Sequence, residues 1–226
     1  MIIAIDGPAG SGKSTIAREV AARFGFAKLD TGAMYRSVAL TALQRGVSLD
    51  ETDAVAELAR TISITFGSEQ HGNVSVFVDG VDVSDAIRTA EVDRNVSAAA
   101  ANPGVRAAML APQRLFAQDR DVVAEGRDVG TVVFPHAELK LFLTADPRER
   151  ARRRVLQRHE GQIVDPAVLE TEIDETLADI ERRDALDSQR DTAPLTCADD
   201  AMRIDSTSYT IDEIVQQIGE LINERR

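Results

Sequence analysis

Apolar and polar positions follow two rhythms along this chain, and the order of those rhythms predicts its architecture. Ile2–Asp6 is a short apolar run of strand length. Lys13–Phe24 then sets Ile16, Val20, Ala21 and Phe24 at helical spacing. Ala27–Asp30 reads as a short strand, Gly32–Arg45 as a helix packed through Met34, Val38, Leu40 and Leu43, and Asp53–Arg60 as a further short helix. Ile62–Phe66, Val74–Val78 and Val81–Val83 switch to alternating apolar and polar residues. Gly67, the turn His71-Gly72-Asn73 and Asp79-Gly80 separate them, so they predict a small antiparallel sheet. Residues 91–118 return to helix, with Asn102-Pro103 as cap and first position between two helices. Asp121–Glu125 and Leu139–Thr144 read as buried strands. Asp146-Pro147 opens a helix, with Glu149 placed for a capping box, and Asp165-Pro166 opens another. After a last short strand, Met202–Asp205, the box Thr210-Ile211-Asp212-Glu213 starts a C-terminal helix. Its apolar stripe is Ile211, Ile214, Val215, Ile218, Leu221 and Ile222. The sum predicts an α/β fold: a parallel sheet of about five strands with helices on both faces, plus one small β insertion. Ligands in such sheets bind at the carboxyl ends of the strands.

Composition narrows the class. The 226 residues suffice for one substantial core, and no apolar run is long enough to cross a bilayer. The chain enters a core strand with no basic leader, so a soluble, cytoplasmic monomer is expected. A net charge of −12 disfavours nucleic acid and anionic membrane as partners, so any polyphosphate must meet a local basic site. The single cysteine, Cys197, excludes an internal disulfide and a multi-cysteine zinc knuckle. Of the 26 basic residues only Lys13, Lys28 and Lys140 are lysines. Arginine suits bidentate phosphate recognition, but the bias itself can reflect base composition, so the positions of the arginines carry the argument.

Residues 7–15 read Gly-Pro-Ala-Gly-Ser-Gly-Lys-Ser-Thr directly after the first strand, the Walker A pattern. Gly7, Pro8, Ala9, Gly10, Ser11, Gly12, Lys13, Ser14 and Thr15 are the candidate ATP loop. Its backbone amides would cradle a triphosphate, Lys13 would reach the β- and γ-oxygens, and the Ser14 hydroxyl would ligate Mg²⁺. Such a loop alone does not separate kinases from GTPases or motor ATPases. A second site must decide. In Asp30-Thr31-Gly32-Ala33-Met34-Tyr35-Arg36, Thr31 and Gly32 can open a helix near a phosphate, with Arg36 one turn in; a capped helix with an exposed Arg reads equally well. In Gly126-Arg127-Asp128-Val129-Gly130-Thr131, the two glycines suggest close approach by a ligand to Arg127 and Asp128. Six arginines crowd 148–158, with Arg150, Arg154 and Arg158 on one helical face. That run reads as a movable lid over transferring phosphates or as a solvated face. Arg183 and Asp187 are either a helical ion pair or, with Arg190, contacts to a nucleotide.

Taken with Ile-Arg-Thr at 87–89, these segments resemble, in order and over essentially the whole chain, the long form of bacterial cytidylate kinase. Leu186, Ser188 and Glu125 stand at variable-looking positions that leave the named roles intact. The resemblance implies a single P-loop kinase unit catalysing ATP + CMP or dCMP ⇌ ADP + CDP or dCDP with Mg²⁺. Its core would be 1–30, 119–147 and 191–226, its nucleoside monophosphate region 31–118 with the β insertion at 62–83, and its lid 148–165. It also implies roles. Thr31, Arg36, Arg88 and Arg127 would serve the acceptor phosphate, and Ser97, Arg106 and Asp128 would read cytosine. Arg183 and Asp187 would contact the ribose, Arg190 would sit over the acceptor, and Arg153 and Arg154 would close on the transferring group. The rivals are another small-molecule P-loop kinase, of adenylate or shikimate type, and a nucleotide-binding switch; an Asn-Lys-x-Asp guanine-reading motif is missing.

Overall fold

Five parallel strands form the centre of the computed structural model, which describes residues 1–70, 73–159 and 163–225. They are β1 (Ile2–Asp6), β2 (Ala27–Asp30), β6 (Val122–Gly126), β7 (Leu139–Thr144) and β8 (Met202–Asp205), in the order β2-β6-β1-β7-β8. Alternation along the buried strands sorts their side chains onto two cores. Ile3, Ile5, Val123, Leu139, Leu141 and Leu143 face α1 (Lys13–Phe24) and α8 (Ile211–Arg225). Ala4, Leu29, Val122 and Ala124 face the other layer, built from α2 (Thr31–Arg45), α3 (Thr52–Thr61), α4 (Ala90–Ala101) and α5 (Pro103–Phe116). The short side chains on the second face let four helices crowd against the sheet. A third, small core of Ala151, Val155, Ile173 and Ile180 joins α6 (Pro147–Arg158) to α7 (Pro166–Gln189).

The insertion is the expected antiparallel sheet: β3 (Ile64–Gln70), β4 (Asn73–Val78) and β5 (Val81–Asp82), in that order. It rests on the α2–α5 layer through Val76 and Val78, and Phe66 meets the Phe116 ring edge-on at 5.6 Å between centroids. Two residues of the turn expected at 71–73, His71 and Gly72, lie outside the described residues.

Capping accounts for most helix starts. Asn102 accepts from the amides of Gly104 and Val105, Asp146 from Arg148 and Glu149, and Asp165 from Ala167. At α8 the Thr210–Glu213 box closes reciprocally. Two expectations need correction. The Glu149 box does not form, because the Asp146 amide donates to Thr207 and the Glu149 carboxylate pairs with Arg153 at 3.0 Å. Ile211 is 48% exposed rather than part of the buried stripe, which consists of Ile214, Val215, Ile218 and Ile222. The sequence pattern also gives no hint of the π-turn Val129–Val133. It is pinned at its start by the Asp6 carboxylate, which accepts from the amides of Val129 and Gly130 at 2.8 and 2.7 Å.

Candidate active site

The carboxyl ends of β1, β2, β6 and β8 lead into one cavity of about 1040 Å³, above the usual range for a single small ligand. One wall is the loop between β1 and α1. Gly7 has φ 147°, and a Cβ there would fall 2.0 Å from the Leu143 carbonyl oxygen, so only glycine lets the loop leave the sheet this closely. The first turn of α1 has no side-chain cap, which leaves its amides free for an anion. Lys13 is buried and donates to the Pro8 carbonyl at 2.7 Å. Burial first, then the neighbouring Arg127 charge, pull its ammonium down to about 7, against the opposing pull of Glu125 and Asp6. A bound polyphosphate would restore that charge.

Beside the loop the structure gives weight to a residue that the sequence pattern passed over. Glu125, at the end of β6, accepts from the Ser14 hydroxyl at 2.6 Å and lies 3.2 Å from Lys28 Nζ. Its Oε1 is buried without a hydrogen bond. Burial, reinforced by Asp30, pushes its carboxyl up. A hydroxyl and a buried carboxylate side by side fit a hard divalent cation held largely by phosphate oxygens and water.

Arginines line the opposite wall. Arg36 from α2, Arg88 from the 3-10 turn Ala86–Arg88, Arg127 after β6, Arg154 from α6 and Arg183 from α7 all reach the cavity, as does Ser97 of α4. Arg36 donates to the Ile87 carbonyl at 3.1 Å, and Arg127 to the Gly7 carbonyl at 3.0 Å. Arg183 is half-buried beside Arg127 and Arg36. Desolvation, then these like charges, draw it down to about 10, and its Nε has no hydrogen-bond partner. Asp187 pairs with Arg127 at 2.8 Å, a cross-element pair in place of the helical Arg183–Asp187 pair that is one of the two readings of this segment.

Other expected residues are placed differently. Arg106 pairs with Asp128, Arg190 lies 3.3 Å from Asp128, and the Arg106 guanidinium sits 5.3 Å from the Tyr35 ring centroid. This buried polar knot adjoins Arg127 but, among the described residues, does not line the cavity. Thr31 is also buried and donates to the Glu125 carbonyl at 2.8 Å, while Asp30 caps α2 by accepting from Ala33. The start of α2 is therefore capped by the chain's own carboxylate rather than left open to a phosphate. The glycines around Arg127 are also required by packing, and Gly126 lines the cavity. A Cβ at Gly126 would sit 2.4 Å from Thr31 Oγ1, and one at Gly130 would sit 3.2 Å from the Lys140 side chain.

The arginines of α6 divide by direction. Arg150 is buried and donates to the Ala9 carbonyl at 2.8 Å and to Asp184 at 2.7 Å, clamping the phosphate loop. Arg153 grips the segment after β8, donating to Ser206 Oγ at 3.0 Å and to its carbonyl at 2.8 Å; Ser206 in turn donates to the Ser11 carbonyl. Arg154 faces the arginine-lined wall and pairs with Asp93. Beside Ser206, Tyr209, Ile211 and Ile214 line the cavity, which explains why Ile211 is spared from the core. Residues 160–162 of the expected lid lie outside the described residues.

Comparison with known proteins agrees with this geometry. The family model described as cytidylate kinase matches residues 3–224. A cytidylate kinase of Limosilactobacillus fermentum is 48% identical across 96% of this chain and 93% of its own length. One from a Geobacillus species is 47% identical across 99% of this chain and 96% of its own length. One from Saccharophagus degradans is 46% identical across 100% of this chain and 98% of its own length.

Proposed function

The chain belongs to the cytidylate kinase family and is a kinase of CMP, and we propose that it moves the γ-phosphoryl group of ATP, with Mg²⁺, onto CMP and dCMP. One observation carries this reading: a single cavity sets an uncapped phosphate loop opposite arginines drawn from five separate segments. Two anionic groups held face to face need little covalent chemistry from the protein. The acceptor phosphate is already an anionic nucleophile, so positioning and charge neutralisation suffice.

The residues divide the work as follows. Residues 7–15 hold the triphosphate, and Tyr209, Ile211 and Ile214 offer an apolar shelf for the adenine ring. Mg²⁺ would neutralise phosphate charge, held beside Ser14 with Glu125 as its carboxylate neighbour. Arg36, Arg88 and Arg127 take the acceptor phosphate, Arg183 and Asp187 its ribose, and Arg190 lies over it. Arg154 answers charge on the transferring group from the lid, and Arg153 ties the lid to the adenine side. Ser97, Arg106 and Asp128 read the base. Cytosine offers an N4 amino donor to a carboxylate and an N3 acceptor to a guanidinium, and uracil reverses both. For this the Arg106–Asp128 contact must open, which the Asp128 pairing with two arginines makes a cost of base binding. The protein works as a monomer in the cytoplasm.

An ADP-release assay across the nucleoside monophosphates tests the reading. CMP and dCMP should exceed UMP and AMP in kcat/KM by at least about two orders of magnitude, and Asp128→Ala should erode that ratio. Faster turnover of UMP or AMP overturns the substrate assignment. An unchanged CMP/UMP ratio in the variant removes Asp128 from base reading.

A further inference from the structure

One carboxylate sits where Arg36 of the acceptor-phosphate set meets Arg154 and Arg183. Asp93, in the first turn of α4, lies 2.5 Å from Arg36 Nη2 and 3.6 Å from Arg183 Nη1, and it pairs with Arg154. The three guanidinium groups come from α2, α7 and α6, which share no turn of chain. Among the described residues, the ion pairs that join α4 to α6 and α7 both run to Asp93. Burial alone would push its carboxyl up, but Arg36, Arg154 and Arg183 outweigh that and hold it below the usual carboxylate range. It is therefore an anion at neutral pH. A carboxylate has two oxygens and one charge to offer three cations. The unpartnered Nε of Arg183 shows that their donors are not exhausted.

We infer that Asp93 is a placeholder for the acceptor's phosphate: it holds Arg36, with Arg154 and Arg183 beside it, when no nucleotide is bound and gives Arg36 up when a phosphate dianion arrives. This rests on the acceptor-site reading given above. The same N–H groups cannot be fully engaged by a side-chain carboxylate and by a phosphate at once. A phosphate brings more charge and more oxygens, so it wins, but at reduced net affinity. A placeholder engaged about nine-tenths of the time weakens apparent binding about tenfold. In exchange, mutually repelling cations stay assembled when no nucleotide is bound, and α6 is kept against α4. Asp93 is thus a positioning residue whose removal strengthens binding of substrate, the opposite of what loss of a binding residue does.

The test is calorimetric titration of inorganic phosphate, CMP and cytidine into the full chain, wild type, Asp93→Asn and Asp93→Ala. Phosphate and CMP should bind about tenfold tighter to both variants, while cytidine, which lacks the phosphate, should bind as to wild type. In turnover, KM for CMP should fall while KM for ATP stays put. Unchanged or weaker phosphate and CMP binding in folded variants overturns the inference and makes Asp93 a permanent orienting group. If the neutral variants lose their thermal unfolding transition without ligand, phosphate should restore it; failure to do so also overturns the proposal. The phosphate arm is independent of the substrate assignment. A wild type that ignores CMP would sink the function while leaving the placeholder testable.

Discussion

The phosphate loop and the arginine wall face each other across one cavity, yet they are built by opposite means. The loop is nine consecutive residues between a strand and a helix. Its binding groups are backbone amides and one lysine, and its shape follows from local demands such as the close pass of Gly7 under Leu143. The wall is assembled from α2, the 3-10 turn, the segment after β6, α6 and α7. Its binding groups are long side chains whose positions depend on how separate helices pack and on which carboxylate each guanidinium meets. A backbone site is rigid and pre-organised. A side-chain site carries like charges that must be balanced when no anion is bound, and here Asp93 and Asp187 do the balancing. The difference predicts that the loop is all-or-none, whereas the wall can be tuned residue by residue.

Lys13→Ala is the most severe way to test this contrast. Lys13 meets charge that grows on the transferring group, so kcat should fall by about three orders of magnitude or more with the fold intact. A near-normal kcat, measured by ADP release, would remove the loop from catalysis. Arg36→Ala acts on the wall, and Arg127→Ala acts on the wall and on its bond to the Gly7 carbonyl. Each should raise KM for CMP by about tenfold to a hundredfold and leave KM for ATP nearly unchanged. Were the ATP value to move instead, donor and acceptor walls would have to be exchanged.

A smaller effect separates two adjacent arginines of α6. Arg154→Gln should slow single-turnover phosphoryl transfer by about tenfold with CMP still bound, because Arg154 faces the acceptor wall. Arg153→Gln should chiefly raise KM for ATP, because Arg153 holds the Ser206 segment beside the loop. Equal effects of the two on transfer would erase that division, and normal kinetics in both would leave the run a solvated face. The mildest test concerns the base of the loop. Burial raises the Asp6 carboxyl to about 6, opposed by its bonds from Gly130 and Val129. The folded chain therefore keeps a proton that the unfolded chain sheds near its ordinary value of 3.8. Stability from this group is complete below that value and is lost as pH rises through about 6. Melting curves between pH 4 and 7 should show wild type losing ground, relative to Asp6→Asn, by a shift of about a few degrees. A constant difference across that range would show that Asp6 does not titrate there.

Much of this was legible in the chain because it is local. Five apolar runs, capped helix starts at Asn102, Asp146 and Thr210, and the alternating segment after Ile62 all express short-range rules, and the structure follows them closely. The loop at 7–15 is legible for the same reason. Glu125 shows where such reading fails. It looked like a variable position in a turn, and its meaning depends on β6 pairing beside β1, which brings its carboxylate to Ser14 across 111 residues. Arg150 and Arg153 both belong to the arginine run that reads as a lid or a solvated face. Only the packing of α6 shows that one clamps Ala9 and the other Ser206.

The amino-acid sequence by itself determined the strand–helix grammar, the phosphate loop and the store of arginines, because periodicity, capping and backbone demands act within a few residues. Which carboxylate each arginine meets was decided only by the tertiary structure. Asp93 gathers Arg36, Arg154 and Arg183 from segments 57, 61 and 90 positions away. Ion pairs act over a few ångströms of space and carry no memory of distance along the chain.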